Sequence, residues 1–141
     1  MSYDLHARNK EIESIRFGAF SWPQMVKDTG MGYILNCGEG KFFAEYVYAK
    51  GNNGSPLSND GYKVSSSEAK MMAKIARGYV FVKKFINQKW DELSENERKT
   101  DLEVKGHDGL PLYNKPINEE FLKSLEKFAD FAEKSNGFRI T

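Results

Sequence analysis

Ser65-Ser66-Ser67-Glu68-Ala69-Lys70-Met71-Met72-Ala73-Lys74-Ile75-Ala76-Arg77-Gly78-Tyr79-Val80 opens the stretch that organises this chain, and it runs on through Phe81, Phe85 and Trp90 to about Leu93. Its first four residues form a capping box. A helix leaves its first backbone N–H groups without partners, and the Ser65 hydroxyl and the Glu68 carboxylate are placed to satisfy two of them. Behind the cap, Met72, Ala76, Tyr79, Val82, Ile86, Trp90 and Leu93 recur at spacings of three and four, which draws one apolar stripe along a helix. Ala69, Ala73, Val80 and Phe85 widen that stripe, so the middle of the helix is apolar on more than one side. A helix of this kind is expected to be covered both by a sheet and by a second helix.

The second helix is legible further on. Asn118 precedes Glu119 and Glu120 as a cap, with Ile117 and Leu122 as its hydrophobic staple. Phe121, Leu122, Leu125, Phe128, Ala129 and Ala132 share one face, and the helix should stop at Asn136-Gly137. Two shorter helices are expected. Ser21-Trp22-Pro23-Gln24 reads as a capping box with Phe20 and Met25 as staple, and Gly30 closes that helix after about 22–29. A box from Ser94 to Glu97 starts another before Gly106.

Strand signals are briefer. Tyr3, Leu5 and Ala7 alternate with Asp4, His6 and Arg8, as in a half-buried strand. Residues 31–36 and 42–49 are β-prone and flank Cys37-Gly38-Glu39-Gly40-Lys41, which reads as a hairpin. Residues 138–141 follow a helix stop and are expected to pair in the same sheet, beside the N-terminal strand. The expected architecture is a single α+β domain over residues 1–141, with a small, mostly antiparallel sheet packed against a long central helix and a C-terminal helix.

Composition narrows the function. The 141 residues include 10 Phe, 7 Tyr and 2 Trp, and the hydrophobic fraction is 40%. That excludes a disordered tail, and the formal charge of +1 excludes a histone-like or polyanionic chain. One cysteine, Cys37, forms no internal disulfide and no thiolate cage, which points to a reducing, cytoplasmic setting. Apolar runs are too short to span a membrane, and Met1-Ser2-Tyr3-Asp4-Leu5-His6 lacks the blocks of a secretory signal. His6 and His107 stand in no metal-ligand spacing, so neither a metal nor a cofactor is expected. His6 could pair with Asp4 or with a neighbouring chain, and His107 reads as a turn residue.

Two features could bind a ligand. Gly51-Asn52-Asn53-Gly54-Ser55-Pro56-Leu57-Ser58-Asn59-Asp60-Gly61 is rich in glycine and short polar side chains and leads to the start of the long helix. Such a loop can aim backbone N–H groups, Asn53, Ser58, Asn59 and Asp60 at an anion that the helix dipole favours. No Gly-Lys-Ser/Thr follows, so it is not a P-loop. The alternative is a surface turn whose Asn and Asp satisfy their own backbone. The second feature is charge segregation. Residues 63–89 hold seven bases against one acid, and residues 91–133 hold twelve acids against six bases. Lys70, Lys74, Arg77 and Lys84 lie on one helical face. They could meet a phosphate while Tyr48 and Tyr62 stack on a base, or they could simply pair with the acidic half. No motif for docking on duplex nucleic acid is present.

One resemblance spans much of the chain. Trp22 in a short first helix, Tyr48…Asn59-Asp60-Gly61-x-x-Val64, Ser67-x-Ala69-x-x-Met72-Ala73, Leu125-x-x-Phe128-x-x-Phe131 and Gly137-Phe138-Arg139-Ile140 resemble a family of small uncharacterised bacterial and phage proteins. Asn136 stands where that group usually has an extra glycine. The resemblance implies an intracellular bacterial or phage setting and carries no catalytic residues with it. The expectation is a non-enzymatic binding protein that sequesters a phosphate-bearing small molecule such as a nucleotide signal. The alternatives are a protein-interaction module of inhibitor or immunity type, with self-association open to it, and a hydrolase acting near Ser58 and Asp60.

Overall fold

In a computed structural model that describes residues 2–35, 56–57, 60–103 and 118–141, four antiparallel strands form one sheet. They are β1 (Ser2–Ala7), β2 (Ile15–Gly18), β3 (Tyr62–Val64) and β4 (Phe138–Ile140), in the order β2-β1-β4-β3. Alternation sets the faces. Tyr3 lies opposite Phe17, Leu5 opposite both Ile15 and Ile140, and Val64 opposite Phe138; these point inward. The outward rows carry Asp4 against Arg16, and His6, Arg139 and Lys63 side by side across β1, β4 and β3. The C-terminal strand pairs with the N-terminal one, as its position after a helix stop suggested. β2 and β3 were not anticipated, because four and three residues are too few for alternation to stand out.

Five helices accompany the sheet among the described residues: α1 (Ser21–Thr29), α2 (Met31–Ile34), α3 (Ser66–Asp91), α4 (Glu95–Glu103) and α5 (Glu119–Lys134). The chain is therefore α+β, with the long α3 packed along α5. Three caps form as read. Ser65 Oγ accepts from Glu68 N–H while Ser65 N–H donates to Glu68 Oε1, and Ser94 and Glu97 repeat the exchange. Asn118 Oδ1 accepts from Glu120 N–H at 2.7 Å. α5 ends where Asn136 and Gly137 adopt φ of 59° and 95°. Here glycine is required: a Cβ on Gly137 would sit 2.7 Å from the Val64 carbonyl oxygen.

Two expectations fail. The proposed box and staple at Ser21 do not form: Ser21 is already helical, no side chain caps α1, and Phe20 is 88% exposed. The start of α1 is set instead by Trp22, which is fully buried; such burial is worth more than the ~1 kcal/mol of a cap. The strand expected from residue 31 is a helical turn. Gly30 turns the chain at φ 86°, and Met31, Ile34 and Leu35 recur at i, i+3 and i+4, which brings all three against the core. The remainder of that hairpin (36–49), His107 and the Ile117 staple lie outside the described residues.

The core is aromatic at its centre. The Trp22 ring lies 5.4 Å from Phe128 and 6.4 Å from Phe138, and Phe17 and Phe131 extend the cluster. Small residues on α3 (Ala69, Ala73, Ala76) let α5 approach with Leu122, Leu125 and Phe128. Val82 and Phe85, expected in the buried stripe, are nevertheless exposed together with Phe81. Among the described residues no helix is long and apolar enough to cross a membrane. Phe128→Ala should lower the unfolding free energy by about 3–5 kcal/mol in urea titration, a lost side chain plus its cavity. Gly137→Ala should cost more than about 1 kcal/mol through its positive φ and the clash with Val64.

Candidate functional site

The anion-binding features read from the sequence separate in three dimensions. Tyr48, Asn53, Ser58 and Asn59 lie outside the described residues. Asp60 is exposed, and Tyr62 stands on the inward row of β3, half-buried against the core. Lys70 and Lys74 are exposed on α3. Arg77 points the other way, toward α5, where its guanidinium donates to Asp130 at 2.9 Å and to Glu133 at 2.5 Å. Those hydrogen bonds, Asp130 first, hold Arg77 charged above the ordinary arginine range. Lys84 donates to Glu126 at 2.5 Å in the same way. The basic stripe of α3 is thus partly spent on the acidic face of α5.

A different set of cations gathers at the start of α3. A cleft of about 460 Å³ is lined by Arg8, Lys63 and Arg139 from the outer face of the sheet and by Ser65 and Glu68 from the helix N-terminus. Strand register brings Lys63 directly opposite Arg139. Arg8 enters the same cleft from the end of β1, where its N–H donates to the Gly137 carbonyl at 2.8 Å. Neither Arg8 nor Arg139 forms an ion pair among the described residues. The acid in the lining, Glu68, is already committed to the Ser65 N–H at 3.0 Å. Gly61 shapes the cleft too: at φ 98° it leaves room for the Arg139 guanidinium, whose Nη2 would lie 2.8 Å from a Cβ there.

Other groups on the sheet are satisfied. Arg16 holds Asp4 through bonds of 2.6 and 3.2 Å and keeps that carboxyl below the usual aspartate range. His6 does not bond to Asp4; its ring nitrogens meet Ser14 Oγ at 2.8 Å and Thr141 Oγ1 at 2.9 Å. No group of His, Cys, Asp or Glu among the described residues could hold a metal ion. A second groove of about 380 Å³ between α3 and α5 contains the Lys84–Glu126 pair, so its charges largely answer one another.

Residue-type reasoning could not reach Arg8, Lys63 and Arg139 as a set. They are 55 and more positions apart, and only pairing of β1, β3 and β4 brings them together. Their signal in the sequence was the outward phase of three strands, of which β3 was not recognised. No protein-family model, curated protein or solved structure matches the chain, so the site rests on its geometry.

Lys83 marks the limit of charge burial in this fold. It is 8% exposed, and its Nζ lies 5.4 Å from the Tyr79 ring centre. Burial holds the ammonium below lysine's ordinary range. The folded state carries that cost while Lys83 is charged and loses it as pH rises from the folded toward the unfolded pKa. Lys83→Met should therefore raise the urea midpoint at neutral pH, with an advantage that shrinks in alkaline buffer. Arg77→Met, at an exposed pair, should cost less than about 1 kcal/mol, and less again at high salt.

Proposed function

We propose that the chain is a non-enzymatic, cytoplasmic binding protein that holds a phosphate-bearing small molecule, such as a nucleotide, in the cleft at the start of α3. The observation that carries this reading is the convergence of Arg8 and Arg139, neither of them in an ion pair among the described residues, on one cleft beside the N-terminus of α3. A phosphate would accept charge-assisted hydrogen bonds from two guanidinium forks, those of Arg8 and Arg139. The positive end of α3 adds to the attraction. This keeps the anion at the helix start suggested by the sequence but takes its cations from the sheet instead of Lys70, Lys74 and Arg77. The volume suits a small molecule better than a nucleic-acid duplex, whose backbone calls for an extended basic surface.

The reading is tested by calorimetric titration with inorganic phosphate, pyrophosphate and nucleoside mono-, di- and triphosphates. At least one should give saturable heat. Arg139→Glu and Arg8→Glu should each weaken it by roughly 10-fold or more, in line with the loss of a charged hydrogen bond. Lys127→Glu, the same change of charge on the exposed side of α5, should leave affinity within about 2-fold. Silence across the panel, or equal weakening by Lys74→Glu, would overturn the assignment.

A further inference from the structure

The two arginines of the cleft are each seated on a glycine. The Arg139 guanidinium lies against Gly61: a Cβ there would stand 2.8 Å from its Nη2, 2.9 Å from its Nε and 3.3 Å from its Cζ. The stem of Arg8 lies against Gly137 in the same way, with its Cδ 3.2 Å from the place a Cβ would take. Both glycines have positive φ, 98° and 95°, so a side chain at either would be strained as well as crowded.

Register separates these two seats. Arg8 is level with Gly137, to whose carbonyl its N–H donates at 2.8 Å. Arg139 stands two residues further along, level with His6 and Lys63. Thr141, two residues beyond that, exchanges both backbone hydrogen bonds with Asp4, and Gly61 is level with it, one residue before the Tyr62–Ile140 pair. The Arg139 side chain therefore leans away from Arg8. From Gly137 to Thr141 the extended chain covers about 13 Å. That span is wider than one phosphoryl group, which meets both forks only when one of them leaves its seat. A chain of phosphoryl groups meets both where they are seated.

We infer that the cleft takes a linear oligophosphate, such as pyrophosphate or the tail of a nucleoside triphosphate, with Arg8 at one end and Arg139 at the other. The inference rests on the reading of the cleft as a phosphate site and adds the number of phosphoryl groups to it. A guanidinium already held against the backbone has less freedom to lose on binding, and its charge-assisted hydrogen bonds count for more. Gly61 is then a positioning residue, which acts through Arg139 by leaving its guanidinium room at the far end.

Calorimetric titration with inorganic phosphate, pyrophosphate and tripolyphosphate tests the inference. Tripolyphosphate should bind at least about 10-fold more tightly than phosphate, the effect of a second charged anchor. Arg8→Gln and Arg139→Gln should each reduce that ratio to within about 2-fold, because the chain is then held at one end only. Gly61→Ala should reduce it by at least about 3-fold, and should change nothing further in an Arg139→Gln background, where there is no guanidinium left to displace. Heat from all three anions with no preference for the longer ones overturns the inference and leaves the phosphate reading in place. So does a ratio that survives Arg8→Gln or Arg139→Gln, since a single point of attachment weakens every anion equally. Silence with all three overturns both.

Discussion

Everything described in this molecule is arranged around the burial of one indole. Trp22 sits between the sheet and the C-terminal helix, with Phe17, Phe128 and Phe138 around it at centroid distances of 5.4 to 6.4 Å. Its ring N–H has to be satisfied inside the core, and it donates to the Pro56 carbonyl at 2.8 Å. Tyr3 repeats the device one residue on, donating to the Leu57 carbonyl at 2.7 Å. Two aromatic side chains thus tie residues 56–57 to α1 and β1, shortly before the chain enters β3. The position of β3, and through it that of Lys63 and the cleft, depends on this anchorage.

The same frame explains why cations of one formal type behave differently. On α3, Arg77 and Lys84 face a helix whose acids recur at matching intervals, so Asp130, Glu133 and Glu126 take them up. On the sheet, β4 has cationic neighbours. Arg139 has Lys63 on one side and His6 on the other, and no acid stands in that row.

The two faces of α3 show a comparable contrast. Alanines make its core side thin, so α5 packs close with its larger residues. Its far side carries Phe81, Val82 and Phe85, bulk that this packing does not use. The apolar breadth of the helix was correctly legible in the sequence, but its reading as uniformly covered core was not. Periodicity reports which residues share a face, and it says nothing about whether anything stands opposite that face.

The sequence by itself determined the elements whose physics is local. The Ser65, Ser94 and Asn118 caps, the left-handed stop at Asn136-Gly137 and the inward face of α5 all rest on groups a few residues apart. Only the tertiary structure decided the rest. It turned residues 31–34 into helix because Met31, Ile34 and Leu35 could then reach the core together. It exposed Phe20 because Trp22 had the stronger claim on the interior. It also brought Arg8, Lys63 and Arg139 into one cleft, because strand register links β1, β3 and β4 across most of the chain. Backbone hydrogen bonds between distant strands set that register, and no short window of residues contains both partners of such a bond.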